Sequence, residues 1–195
     1  QKWAAAKVPP IYQANGGWKL TLAERKRILL DHIFGVDIDT QAVEVTKLSL
    51  LLRVLEGEKN LVLFHNARAL PDLAGNIKCG NSLIGPDFYN RQQMTMFDED
   101  ERYRINAFDW KAKFSEVFKG GGFDAVIGNP PYGACFTREE DAYLTQAYGL
   151  FGSIKDVYVA FIEKAHAILC SEGRFGYIVP SAWLGGPAYL ALRDF

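Results

Sequence analysis

The chain has 195 residues, 49% of them hydrophobic and 23% charged, with a formal net charge of −1. That is enough apolar material for one domain with its own core, and the near-neutral balance excludes a chain that grips nucleic acid by bulk positive charge, because Lys and Arg supply most sequence-independent affinity for phosphates. Cys79, Cys135 and Cys170 form no C-x-x-C, and His32, His65 and His166 have no ligand spacing, which argues against a disulfide framework or a zinc site, and a reducing cytoplasm fits best.

Residues 1–20 combine aromatic residues and glycine without a period and read as an irregular lead-in. Thr21-Leu22-Ala23-Glu24 matches a capping box, in which the Thr hydroxyl and the Glu carboxylate each satisfy an orphan N–H at a helix start. The helix runs to about Asp31. Ile33 to Asp39 then reads as a short buried strand ending in two carboxylates, followed by a helix from Thr40 to Glu56. Ligands bind at the carboxyl ends of strands in an open α/β sheet, and a carboxylate there accepts both hydroxyls of a ribose. Asp37 is assigned that role and Asp39 or Thr40 the role of helix cap. Residues 61–70 fit a strand or an apolar loop. Ile77 to Gly80 is a further strand, and Asn81 beyond it is also a routine turn former.

Gly85 to Ala107 is polar and carries the acidic run Asp98-Glu99-Asp100-Glu101, which predicts a solvated insertion. Phe108 to Phe118 places Trp110, Phe114, Val117 and Phe118 on one helical face as core, and Gly120-Gly121-Gly122 ends it. Phe123 to Gly128 is a strand with Val126 and Ile127 buried. Thr137-Arg138-Glu139-Glu140 is a second capping box. Asp156 to Leu169 has the three-four spacing of an amphipathic helix, and Arg174 to Pro180 is another buried strand. Alternating strands and helices predict an α/β fold with a mostly parallel, doubly wound sheet. No apolar run approaches the ~20 residues of a membrane span, and no signal peptide opens the chain.

The most informative stretch is Asn129-Pro130-Pro131-Tyr132, directly after the strand. Asn129 and Pro130 each precede a proline and are held extended. The Asn129 side-chain oxygen and the Pro130 carbonyl offer two acceptors to one amino group, and the Tyr132 ring offers a stacking plate whose hydroxyl is dispensable. Such a corner suits a planar base with an exocyclic NH2. The loop from Gly133 to Phe136 follows it, and Phe136 and Arg138, with Pro131, are the candidates for contact with the substrate.

Asn129 to Tyr132 resembles motif IV of the amino-methyltransferases. Together with Phe108-Asp109-Trp110, Phe114 to Phe118 and Gly121 to Asp124, it is similar to the gamma-class N6-adenine DNA methyltransferases of restriction-modification and defence systems. Gly35 to Asp39 resembles that family's second motif, Gly80-Asn81-Ser82 its third, Asp156 to Phe161 its fifth and Arg174 to Pro180 its sixth. The resemblance spans about Ile28 to Leu184 and implies a Rossmann-like fold, S-adenosyl-L-methionine as cofactor, and double-stranded DNA presenting a flipped adenine. It implies Asp37 and Asn81 as cofactor ligands, with Asp156 or Tyr158 at the border of that site, positions that a helix cap and a core aromatic explain as simply. Ile38 packs on the cofactor's adenine or in the core. The family's Gly-rich first motif has no counterpart in residues 1–20. The chain therefore reads as a partial methyltransferase domain without target-recognition or nuclease domains, inactive alone. Methylation of RNA or of protein glutamine, and a non-catalytic binding module, are the alternatives.

Overall fold

The computed structural model describes residues 10–14, 16–56, 70–91 and 99–195, so the ambiguous stretch 61–70 falls, except for Leu70, outside the described residues. Backbone contacts divide the chain into two compact units, Gln1–Gly80 and Asn81–Phe195.

The first unit opens with structure where the sequence reading placed an irregular lead-in. β1 (Ile11–Ala14) and β2 (Gly17–Leu20) form an antiparallel hairpin in which Ala14 pairs with Gly17. Gly16 takes φ +77° in the turn, a conformation that glycine adopts without penalty. α1 (Leu22–His32) is capped by Thr21, whose hydroxyl accepts from the Glu24 N–H at 3.3 Å. The reciprocal half of the expected capping box is replaced: the Glu24 carboxylate turns to the Arg27 guanidinium at 2.7 Å, and that bond lowers the carboxyl's pKa.

β3 (Gly35–Asp37) and β4 (Ile77–Cys79) run parallel, with Asp37 opposite Cys79. Asn76 is buried and donates its side-chain amide to Leu30 O at 2.8 Å and Ile33 O at 2.9 Å, satisfying carbonyls at the end of α1. α2 (Thr40–Leu55) joins the two strands and packs Val43 and Val54 into a core with Leu29, Leu73 and Ile77.

In the second unit, the stretch expected to be a solvated insertion is anchored at both ends. α3 (Asp87–Arg91) and α4 (Glu99–Ile105) bury Phe88 and Ile105 in the main core, among Leu83, Ile84, Leu144 and Phe151. The acidic residues Glu99, Asp100 and Glu101 lie in the first turn of α4, where the helix dipole favours them. The predicted single helix over 108–118 is broken into α5 (Trp110–Lys113) and α6 (Ser115–Lys119). The break falls at Phe114, whose buried ring meets those of Trp110 and Phe123 at 5.7 and 5.8 Å. Burying that ring outweighs one continuous turn of helix, and Phe114 is core as expected, whereas Trp110, Val117 and Phe118 are half-buried.

β5 (Phe123–Gly128) and β6 (Leu169–Tyr177) form the second parallel pair. Their register slips once: Phe123 faces Leu169, but Ala125 faces Arg174, so residues 170–173 bulge, with Glu172 at φ +65°. From there the pairing is regular to Gly128 opposite Tyr177. α7 (Arg138–Ala147), α8 (Gly149–Ile154) and α9 (Val157–Ile168) connect β5 to β6. α7 has the complete capping box: Thr137 N–H donates to Glu140 at 2.8 Å, and Glu140 N–H donates to the Thr137 hydroxyl at 3.2 Å. α9 is the amphipathic helix that the spacing predicts, and it buries Tyr158, Val159 and Ile162 against Leu192 of α10 (Leu190–Asp194).

The architecture is mixed α/β with parallel strands joined through helices. Among the described residues these strands form two separate pairs, so a doubly wound sheet is not shown. Ile127, expected to be buried, is 87% exposed, because a two-stranded pair leaves one of its faces uncovered. No described helix is long and apolar enough to cross a membrane.

Candidate active site

The Asn129-Pro130-Pro131-Tyr132 corner leaves β5 where the paired strand β6 also ends. Gly128 sits close under its neighbour across the pair: a Cβ there would lie 3.0 Å from the ring of Tyr177, so a side chain at this position pushes on that ring. Burial raises the Tyr177 hydroxyl to about 12.

One residue beyond β6 closes the corner from both sides. Ile178 donates its N–H to Gly128 O at 3.2 Å, and its carbonyl accepts the Tyr132 hydroxyl at 2.8 Å. The backbone of a single residue thus bridges positions 128 and 132. The same hydroxyl lies 3.2 Å from Asn129 Oδ1. A hydroxyl carries one proton, and the shorter distance gives it to Ile178. Asn129 Oδ1 is therefore held loosely and stays available as an acceptor. Asn129 and Tyr132 are exposed, Tyr132 at 53%, while Pro130 is buried. Gly133 follows at φ +69° and turns the chain toward Thr137. Phe136 in that loop packs its ring edge-on against Phe151 at 6.0 Å, so it ties the loop to the core. Arg138, at the start of α7, is exposed.

The acidic turn of the first unit is built differently. Asp37 Oδ1 accepts the Asp39 N–H at 2.8 Å, and Asp39 Oδ1 accepts the Gln41 N–H at 2.8 Å, which makes Asp39 the cap of α2 as expected. Asp37 is exposed with a second carboxylate oxygen, and the neighbouring Ile38 is 54% exposed. Of the two roles open to Ile38, core packing is removed. An exposed carboxylate beside a bare aliphatic side chain suits the ribose and the adenine face of a nucleoside.

Asn81 and Asp156 are engaged in structure. Asn81 Oδ1 accepts from Leu83 N–H at 3.0 Å and Ile84 N–H at 3.2 Å, the turn-forming role that was its alternative. Asp156 occupies the cap position of α9 without capping it; its carboxylate accepts the Tyr189 hydroxyl at 2.5 Å. Tyr189 and Ile178 are the participants that sequence reasoning missed. The Ile178 contact is through main-chain atoms and leaves no side-chain signature.

A family model described as "Eco57I restriction-modification methylase" matches residues 31–195. The type II restriction enzyme and methyltransferase RM.Eco57I of Escherichia coli is 32% identical over 184 residues, covering 91% of this chain and 17% of that protein. A putative type II restriction enzyme and methyltransferase of Methanocaldococcus jannaschii is 22% identical over 284 residues, with coverages of 87% and 24%. The type II methyltransferase M.TthHB8I of Thermus thermophilus is 33% identical over 87 residues, with coverages of 39% and 20%. The chain spans about a fifth of the length of these curated relatives. No solved structure matches it.

Proposed function

This chain belongs to the Eco57I restriction-modification methylase family, and from that premise we propose that it forms the base-facing part of a DNA adenine-N6 methyltransferase that uses S-adenosyl-L-methionine. The observation that carries the reading is Asn129 Oδ1, an exposed acceptor at the end of a parallel strand, beside an exposed aromatic ring.

Asn129 Oδ1 and the Pro130 carbonyl accept the two N–H groups of the adenine amino group. The nitrogen lone pair, otherwise delocalised into the ring, is then freed for attack, and the two oxygens bear the positive charge that develops on nitrogen. The cofactor supplies an electrophilic sulfonium methyl, so the transfer needs neither a metal nor a covalent enzyme intermediate. Asp37 takes the ribose hydroxyls and Ile38 packs on the cofactor's adenine. Asn81, whose Oδ1 already serves two amides, is not a ligand in this reading, while Asp156 keeps one carboxylate oxygen beside the one bonded to Tyr189. An adenine inside a duplex is out of reach and is flipped out. Tyr132 stacks on it, an interaction worth ~1–3 kcal/mol. Pro131 lies against the flipped base, Phe136 anchors the loop that borders it, and Arg138 reaches a DNA phosphate.

The test is transfer of labelled methyl from S-adenosylmethionine by the full-length protein to DNA, RNA and protein substrates. Label on N6 of adenine in duplex DNA is expected. Label on RNA or on glutamine, or turnover that survives Asn129→Ala, overturns the assignment.

A further inference from the structure

We propose that Pro131 is a positioning residue whose role is to withhold an N–H group from Asn129. The inference rests on Asn129 as the acceptor of the substrate's amino group, and deepens that reading.

Short Asx side chains capture the backbone N–H two residues ahead, forming a turn that mimics a backbone turn. This chain does so repeatedly. Asp37 takes the N–H of Asp39 at 2.8 Å, Asp39 that of Gln41 at 2.8 Å, Asp72 that of Ala74 at 2.9 Å and Asn81 that of Leu83 at 3.0 Å. Two of these four, Asp39 and Asn81, follow a parallel strand, as Asn129 does, and Asp37 ends one. An asparagine followed by one proline remains open to the same capture, because the N–H it takes belongs to the second residue on. In this corner that second residue is Pro131, and neither Pro130 nor Pro131 has an N–H. The nearest hydroxyl, that of Tyr132, is 3.2 Å away and is closer to the Ile178 carbonyl. The second proline therefore removes the amide that all four of those turns use; an amide three residues on, as Tyr132 would offer, is taken in this chain by Asn81, where it adds to the bond two residues on. Pro130 by itself already holds Asn129 extended, so stiffening Asn129 does not require a second proline.

The test compares Pro131→Ala with Pro131→Ala/Asn129→Ala in the full-length protein, reading hydrogen exchange of the new amide at residue 131 together with steady-state kinetics. The single variant is expected to show the residue 131 amide protected roughly tenfold relative to the double variant, as one net hydrogen bond allows. Its kcat on adenine-containing DNA is expected to fall about three- to tenfold, with KM for S-adenosylmethionine unchanged. Equal exchange in the two variants overturns the proposal even if kcat falls, because the loss then comes from backbone rigidity. Wild-type kcat in Pro131→Ala also overturns it. Failure of the underlying acceptor reading shows separately, as turnover retained in Asn129→Ala alone.

Discussion

At the end of β3, Asp37 and Asp39 turn carboxylate oxygens onto amides two residues ahead, while at the end of β5, Asn129 faces two prolines and keeps its oxygen loosely held and exposed. Both turns leave a parallel strand at its carboxyl end. The first is fastened locally, within five residues, and presents only what capping leaves over: a second oxygen of Asp37 and the side chain of Ile38. The second has no amide at the two residues that follow Asn129 and is held mainly from outside, by the backbone of Ile178. A polar residue at a strand end is thus a ligand candidate in proportion to the amides its own chain fails to offer it. By that measure Asn129 ranks above Asn81, whose oxygen already serves two amides.

The comparison breaks most sharply at Asn129. Asn129→Ala in the full-length protein is expected to lower kcat by roughly 10²–10³, the scale of losing one preorganised charge-stabilising group, with cofactor binding by calorimetry unchanged. Asp37→Ala has the opposite signature: cofactor affinity falls about 10- to 100-fold, the value of hydrogen bonds to a charged group. Helix α2 stays capped, because Asp39 performs that task. Loss of helicity in that variant, read by circular dichroism, contradicts the division of labour between the two aspartates.

Gly128→Ala sharpens the comparison from the structural side. The added methyl sits 3.0 Å from the Tyr177 ring and displaces either the ring or the strand end. Stability is expected to fall by about 1–3 kcal/mol, measured by denaturant unfolding, with kcat reduced alongside it. The smallest effect belongs to Tyr132→Phe. The sequence alone predicts no change, because the ring is kept. The structure gives the hydroxyl a bond to Ile178 O, so a loss of about 0.5–1.5 kcal/mol is expected as a severalfold lower kcat. Wild-type kinetics in this variant show that the outside fastening is not needed.

What was legible in the sequence is what local chemistry decides. The caps at Thr21, Asp39 and Thr137, the amphipathic α9 and the strand leading into the Asn-Pro-Pro-Tyr corner all stand where residue types and spacing place them. The β1–β2 hairpin has a sequence signal as well, Asn15-Gly16 between β-formers, set among aromatic and glycine residues that carry no period of their own. Competing partners, near and far along the chain, hid the rest. Glu24 leaves its capping box for Arg27 one turn further along the same helix, Phe114 breaks a helix to reach Phe123, and Asp156, at the cap position of α9, bonds Tyr189 instead. In each case a pattern that was correct locally lost to a partner that it does not encode. The fold class was read correctly at the level of parallel strands joined by helices, whereas the buried strand face assigned to Ile127 required a covering layer that sequence periodicity does not report.

The clamp on the corner consists entirely of main-chain atoms at residue 178, while the Ile178 side chain is 68% exposed. Position 178 is therefore a natural port for a reporter. A cysteine placed there, in a variant whose exposed Cys135 is replaced, and coupled to a small fluorophore would ride on the peptide unit that grips the corner while leaving both of its hydrogen bonds intact. The arrival of a base could then be followed in real time, separately from the chemistry that comes after it.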